Sequence, residues 1–181
     1  ALLLRHKHEL TPDRIDTVTI LLDERQFGVV VNPIEGKREP SSEYDAKFSV
    51  PYAVATALCK GRFSLADLED TARSDTEVLA LAQRIECIHD ERSRYPAAFS
   101  GGVKIRLTDG SEVEHFEAVN RGAEGQLLSQ DQVRKKFLDN CVLTISIESA
   151  ELLWNTMMSL DELKDVSAVT ALLREEVNRA A

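Results

Sequence analysis

Between Val103 and His115 the chain reads Val-Lys-Ile-Arg-Leu-Thr-Asp-Gly-Ser-Glu-Val-Glu-His, and this segment restricts the possible folds more than any other. Apolar and charged residues alternate on both sides of Asp109-Gly110, the pattern of two half-buried strands joined by a tight turn. Two registers compete. A two-residue Asp109-Gly110 loop sets Leu107 against Glu112 and Ile105 against Glu114, with apolar side chains opposite charges. A three-residue loop, Thr108-Asp109-Gly110 with Gly110 in the left-handed region, pairs Ile105 with Val113 on one face. On the other face it pairs Arg106 with Glu112 and Lys104 with Glu114. The second register satisfies both faces and is the one expected. His115 then falls on the apolar face, across from Val103.

The other segments supply more strand and a helical cover. Ile15 to Leu22 is β-rich and alternates at Val18, Ile20 and Leu22, so it reads as a strand, and Glu86 to Asp90 reads as a shorter one. Gly28, Pro33, Gly36 and Pro40 punctuate Gln26 to Ser42, which implies a short extended piece, Phe27 to Val31, followed by a loop. A well-marked helix follows. Ser49 caps it, Pro51 sits in the first turn where its missing N–H costs nothing, and Gly61 stops it. Val50, Ala53, Val54, Ala57 and Leu58 form the expected buried stripe. A second face, Tyr52, Ala55, Thr56 and Cys59, is small and semi-polar and is suited to lining a cleft.

Short helices are expected at Leu65 to Thr71 and at Glu77 to Ile85, the latter capped by Asp75 or Thr76. Arg121 to Leu128 is a glycine-containing loop. Ser129 and Gln132 make a capping box for a helix with Val133 and Phe137 on its buried face. The tail is helical over Ala150 to Met158, over Asp161 to Asp165 with a Ser159/Glu162 capping box, and over Ala168 to Val177. No repeat or low-complexity segment stands out. The opening, Ala1 to Leu10, has leucines with basic residues behind them and no start signal, as in the last turns of a helix. It reads as the edge of a piece cut from a longer protein. Helices clustered around a small antiparallel sheet give an α+β fold.

A hydrophobic content of 43% over 181 residues is enough for a packed core. No apolar run reaches spanning length, and Leu2 to Leu4 is too short for a signal peptide. The net charge of −9 argues against nucleic acid or an anionic membrane as a partner. Cys59, Cys87 and Cys141 are odd in number and far apart, which implies reduced thiols and a cytoplasmic setting rather than a disulfide or metal framework.

Several short constellations carry little chemistry. His6 and His8 are two apart, so on a helix they diverge and cannot share a metal. Arg134-Lys135-Lys136 reads as a solvated helix face, with an anion-binding patch as the other reading. Arg121-Gly122-Ala123-Glu124-Gly125 lacks the spacing of a phosphate loop and carries its own repelling glutamate. His115 is of the residue type that most often serves as a general base but has no evident partner in the sequence. Tyr52 is either a ring across the shoulder of the core or a phenol projecting into a cleft, where it can hydrogen-bond a carboxylate or assist proton transfer.

The stretch Pro40-Ser-Ser-Glu-Tyr-Asp-Ala-Lys-Phe-Ser-Val-Pro-Tyr-Ala-Val-Ala55, followed by Ala57-Leu58-Cys59-Lys60-Gly61, resembles the MmgE/PrpD family. That family includes 2-methylcitrate dehydratase, cis-aconitate decarboxylase and iminodisuccinate epimerase. Val103 to Gly110 is similar to the family's hairpin, and Arg121-Gly122 through Leu128-Ser129 and Lys136-Phe137 to a later stretch. Gln126-Leu127-Leu128-Ser129 departs from it by lacking a proline.

The resemblance implies that residues 1–181 are the smaller, C-terminal α+β domain of a two-domain protein whose larger helical domain precedes them. It implies a metal-independent lyase without a cofactor, acting on a small di- or tricarboxylate such as 2-methylcitrate, with dehydratase chemistry favoured. A same-fold isomerase or epimerase, or a non-catalytic packing or dimerisation domain, is the alternative. It further implies a homodimer, and an active site between the domains with most catalytic groups outside this chain. Of the residues present, the resemblance marks Tyr52 as catalytic and Phe48 and Ser49 as shaping the substrate pocket.

Overall fold

The structure, a computed structural model, describes residues 1–177. The chain divides into two compact units, Ala1–Gln126 and Leu127–Ala181. In the first, helix α1 (Leu2–His8) ends at Glu9 in a left-handed conformation, φ 49°, with basic residues in its last turn as the sequence implies. A 3₁₀ turn, Pro12–Arg14, leads into strand β1 (Ile15–Leu22). Helices α2 (Phe27–Val30), α3 (Ile34–Arg38), α4 (Glu43–Lys47), α5 (Val50–Lys60), α6 (Asp70–Arg73) and α7 (Thr76–Ala82) follow. Strands β2 (Ile85–His89), β3 (Gly101–Leu107) and β4 (Glu112–Glu117) complete the unit.

The fold is α+β as expected, and its sheet is mixed, in the order β2-β1-β3-β4. β1 and β2 run parallel, with Val18 opposite Ile85 and Leu22 opposite His89, while β1–β3 and β3–β4 are antiparallel. A parallel pair needs a long crossover, and α2 to α7 provide it. The hairpin adopts the expected register: Ile105 faces Val113, Arg106 faces Glu112, and Lys104 faces Glu114. Gly110 takes φ +84°, and its N–H reaches Leu107 O at 2.9 Å.

Val18, Ile20, Leu22, Ile85, Val103, Ile105 and Leu107 line one sheet face and pack under Tyr52, Ala55 and Leu58 of α5 and Val78, Leu81 and Ala82 of α7. Two expectations fail here. Phe27 to Val31 is helical, not extended. Asp23 caps the preceding 3₁₀ turn by accepting the Arg25 N–H at 3.0 Å, and Val29 lies 56% exposed with no strand beside it. The prolines separate short helices, Pro33 standing at the N-cap of α3 and Pro40 lying between α3 and α4, whereas Gly28 and Gly36 fall within α2 and α3.

The inward face of α5 keeps Ala57 and Leu58 of the expected stripe but is otherwise rotated from it. Tyr52, Ala55 and Thr56 are fully buried, whereas Val50, Ala53 and Val54 are only partly so. A helix of small residues offers more than one apolar stripe, and the bulky Tyr52 decides which turns in, because its ring removes the most area from water. Thr56 satisfies its hydroxyl within the helix by donating to Tyr52 O at 2.8 Å.

β1 and β2 end alike, a repetition easily overlooked in the sequence. Asp23-Glu24-Arg25 follows β1 and Asp90-Glu91-Arg92 follows β2. In each, the nearly buried aspartate accepts the N–H two residues on and grips that arginine's guanidinium at two points. Each guanidinium also lies over a ring, Arg25 over Tyr95 at 5.0 Å and Arg92 over Phe116 at 4.5 Å.

The second unit contains α8 (Gln130–Cys141), α9 (Ile147–Met158) and α10 (Ser167–Val177). The Ser129/Gln132 capping box is present. Phe137 meets Trp154 at 5.4 Å between centroids, but Val133, one turn before it on the same face, is 44% exposed rather than buried. Ser159 caps nothing; its hydroxyl turns back to Asn155 O at 3.2 Å. Arg134 pairs with Glu151 and Lys135 with Asp139, as befits a solvated face. Among the described residues no helix is long and apolar enough to cross a membrane, and no group of three or more His, Cys, Asp or Glu is placed to hold a metal.

Candidate active site

The turn from α4 into α5 brings Phe48, Ser49 and Tyr52 together. Ser42 caps α4, and the hydroxyls of Ser41 and Ser42 donate to Asp45 Oδ2 at 2.7 and 2.8 Å. These bonds hold the Asp45 carboxyl below its usual range. Phe48 then ends α4, and Ser49 starts α5 by accepting the Tyr52 N–H at 3.0 Å. The Ser49 hydroxyl donates in turn to Lys37 O, and the residue is 2% exposed. Ser49 is therefore a buried helix cap with its proton already committed. Phe48 is 37% exposed and packs against Tyr44 with the rings tilted and centroids 4.9 Å apart, so it can contact a ligand.

Tyr52 is fully buried, and its hydroxyl donates to the main-chain oxygen of Asp67 at 2.7 Å. The cleft-lining geometry expected of its helix face is thus not what this structure holds. Burial pushes the phenol's pKa up, which keeps it protonated and neutral. The Asp67 carboxylate, 1% exposed, accepts Ser64 N and Ser64 Oγ, both at 2.8 Å, and Arg62 Nη1 at 3.1 Å. Phe63 presents its ring edge-on to Tyr52 with centroids 6.2 Å apart.

Cations near α5 are largely taken up by carbonyls. Lys37 Nζ donates to Val29 O at 2.8 Å and Phe48 O at 2.7 Å, Arg5 Nε to Leu58 O at 2.8 Å, and Arg38 Nη2 to Ile85 O at 2.6 Å. Arg73 donates to Leu68 O and Pro40 O, each at 3.0 Å. A hollow of about 410 Å³ beside Arg73 is lined also by Glu35 and Glu39, and a smaller one of about 220 Å³ shares Glu39 and adds Lys37 and Asp45. Carboxylates on these walls repel a polycarboxylate.

The structure supplies a partner for His115 that the sequence reading did not find. Its Nε2 lies 2.7 Å from Glu117 Oε1, and this bond lowers the Glu117 pKa. The signal was available: residues i and i+2 of a strand share a face. A histidine oriented by a carboxylate has the form of a general base, but α5 packs beside β2, at the opposite sheet edge from β4. The structure does not bring this pair to Tyr52.

The fold and site together describe an α+β domain that offers a buried phenol, an aromatic side chain at its rim, and few free cations. A family description, the MmgE/PrpD C-terminal domain, matches residues 1–162, and the chain belongs to that family. It is 24% identical over 178 residues to cis-aconitate decarboxylase of Mus musculus, covering 93% of this chain and 35% of the relative. It is 24% identical over 142 residues to the cis-aconitate decarboxylase-like protein oryM of Aspergillus oryzae, covering 78% and 29%. It is 28% identical over 114 residues to the mitochondrial 2-methylcitrate dehydratase of Yarrowia lipolytica, covering 59% and 21%. The chain thus spans about a third or less of the length of these curated relatives.

Proposed function

We propose that this chain is the C-terminal domain of a larger lyase that removes water or carbon dioxide from a small di- or tricarboxylate. The observation that carries the reading is the family match over residues 1–162, with relatives named for decarboxylation and dehydration of such acids. Either reaction needs a base, a proton donor and cations to hold carboxylates. The cations around α5 are engaged with carbonyls or, as Lys60 with Asp75 and Arg62 with Asp67, with carboxylates of this domain, which supports placing the carboxylate-binding groups and the base on a preceding helical domain. In this reading Tyr52 is the donor this domain contributes, Phe48 borders the substrate, and Ser49 fixes the start of the helix that carries Tyr52. A dehydratase acting on 2-methylcitrate, metal independence, a homodimer and a cytoplasmic location belong to the same proposal and rest on the resemblance.

The test uses the full-length protein. Ultraviolet absorbance follows double-bond formation from 2-methylcitrate, and carbon dioxide release follows cis-aconitate. Turnover of either acid supports the reading, and no turnover of any di- or tricarboxylate rejects it. Interconversion of stereoisomers without water or carbon dioxide loss would favour an epimerase.

A further inference from the structure

The reading of Tyr52 as a donor meets an obstacle in the geometry. A phenol has one proton to give, and here it is given to Asp67 O, inside a core where Tyr52 meets no solvent. A substrate reaches that proton only if the Asp67 carbonyl moves away.

The carbonyl belongs to the segment Arg62–Leu68, which enters the 3₁₀ turn Leu65–Leu68. Its side-chain ties are internal. Asp67 Oδ2 accepts from Ser64 N, Ser64 Oγ and Arg62 Nη1, and Asp67 N–H donates to Ser64 O at 3.1 Å. These bonds fix the shape of the segment and do not fasten it to α5. At one end stands Gly61, at φ +70°, a conformation that leaves the helix abruptly. At the other end Leu68 is buried, and its carbonyl is held by Arg73. Between these two points the apolar contacts are slight. Phe63 touches Tyr52 but is 38% exposed, and Leu65 is 45% exposed. Lifting the turn therefore breaks the Tyr52–Asp67 bond and parts Phe63 from Tyr52 while leaving the buried anchor at Leu68 in place, the profile of a local opening.

We propose that the turn Arg62–Asp67 is a cover over the Tyr52 phenol and that Asp67 is its positioning residue. With the cover down, Asp67 O holds the phenol proton. With it raised between Gly61 and Leu68, the bonds from Ser64 and Arg62 to the Asp67 carboxylate let go, the turn no longer presents Asp67 O, and the phenol is free to hydrogen-bond a carboxylate or hydroxyl of the substrate. The inference rests on the proposed role of Tyr52 in the lyase.

Hydrogen exchange and tyrosine nitration on the full-length protein test it without reference to activity. The Ser64 and Asp67 amides are expected to exchange at least about tenfold faster than those of Ala55 to Leu58, at a rate insensitive to low urea. Nitration of Tyr52 by tetranitromethane, mapped by mass spectrometry, is expected to follow the same opening. Asp67→Asn loosens the staple and should raise both rates together. Arg62→Ala, at a side chain 56% exposed, does the same where the first variant folds poorly. If these amides exchange only with α5, and Tyr52 is nitrated only on global unfolding, the cover does not exist.

A kinetic arm separates the two ideas. A closed cover lowers the fraction of competent enzyme and raises KM in proportion, so loosening it should lower KM with kcat little changed. Opening without turnover of any carboxylate leaves the cover standing and rejects the lyase. Turnover with Tyr52 locked away retains the lyase and rejects the cover.

Discussion

Tyr52 Oη and Asp67 O are 2.7 Å apart, joined where neither residue meets solvent: Tyr52 is 0% and Asp67 1% exposed. Removing one partner of a buried hydrogen bond strands the other, at a cost of about 1–3 kcal/mol. Tyr52→Phe keeps the ring and strands the Asp67 carbonyl. Its unfolding free energy should fall by that amount, read as a lower urea midpoint with the slope unchanged. An unshifted midpoint would mean that water already reaches this carbonyl.

Gly61 and Arg5 form a second such pair. An alanine Cβ at Gly61 would lie 2.7 Å from Arg5 Nη1, and φ there is +70°. The left-handed conformation alone disfavours a side chain by roughly 1–2 kcal/mol. The guanidinium can swing away, but Arg5 Nε then loses Leu58 O, the carbonyl it caps at 2.8 Å. Gly61→Ala should therefore cost more in wild type than in an Arg5→Ala background, with a coupling of about 0.5–1 kcal/mol in a double-mutant cycle. Zero coupling would show that the backbone conformation is the entire penalty.

The hairpin and the helix caps were legible in the sequence because their causes are local. Ile105 against Val113 follows from alternation and one glycine, and Ser49, Ser129 and Gly61 act on neighbours within one turn. The face of α5 was not legible. Val54 and Ala55 are adjacent and both apolar, and the choice between them depends on β2 and α7, which are distant in sequence. The strand expected at Phe27 failed because Asp23, just upstream, starts a turn there. At the site, Tyr52 stands out in the sequence as the one large phenol on its helix, but its carbonyl partner fifteen residues away has no side-chain signature. Lys37 was missed for the same reason, since its acceptors are the carbonyls of Val29 and Phe48.

The paired strand ends set the response to acid. Hydrogen bonding from the Arg25 guanidinium brings the Asp23 pKa down from 3.8 to about 2, and Arg92 lowers Asp90 in the same way. A carboxyl with a depressed folded-state pKa contributes stability that is complete above its unfolded value. That contribution fades as pH falls from 3.8 through about 2 for Asp23. The urea midpoint should thus be nearly flat with respect to these groups near pH 6 and drop steeply in that acid window. Asp23→Asn should flatten part of the drop. A carboxyl carbon resonance of Asp23 titrating at an ordinary value would show that Arg25 does not hold it.

Gly102 tests the packing on the opposite sheet face from the core. A Cβ there would come within 2.9 Å of Phe116 Cδ2, 3.0 Å of His115 O and 3.3 Å of Leu21 Cδ1. The ring therefore lies close to the glycine, and the Arg92 guanidinium lies over that ring at 4.5 Å. Gly102→Ala overpacks the site and should cost about 1–3 kcal/mol, read from thermal or urea unfolding. Phe116→Leu gives way to the new methyl and relieves the ring contact, but the His115 carbonyl is part of the β3–β4 ladder and cannot retreat without lengthening its hydrogen bonds. The double variant should accordingly recover part of the loss and not all of it. Full recovery would make the Phe116 ring the sole reason for a glycine here, and no recovery would place the whole constraint on the main chain of β4.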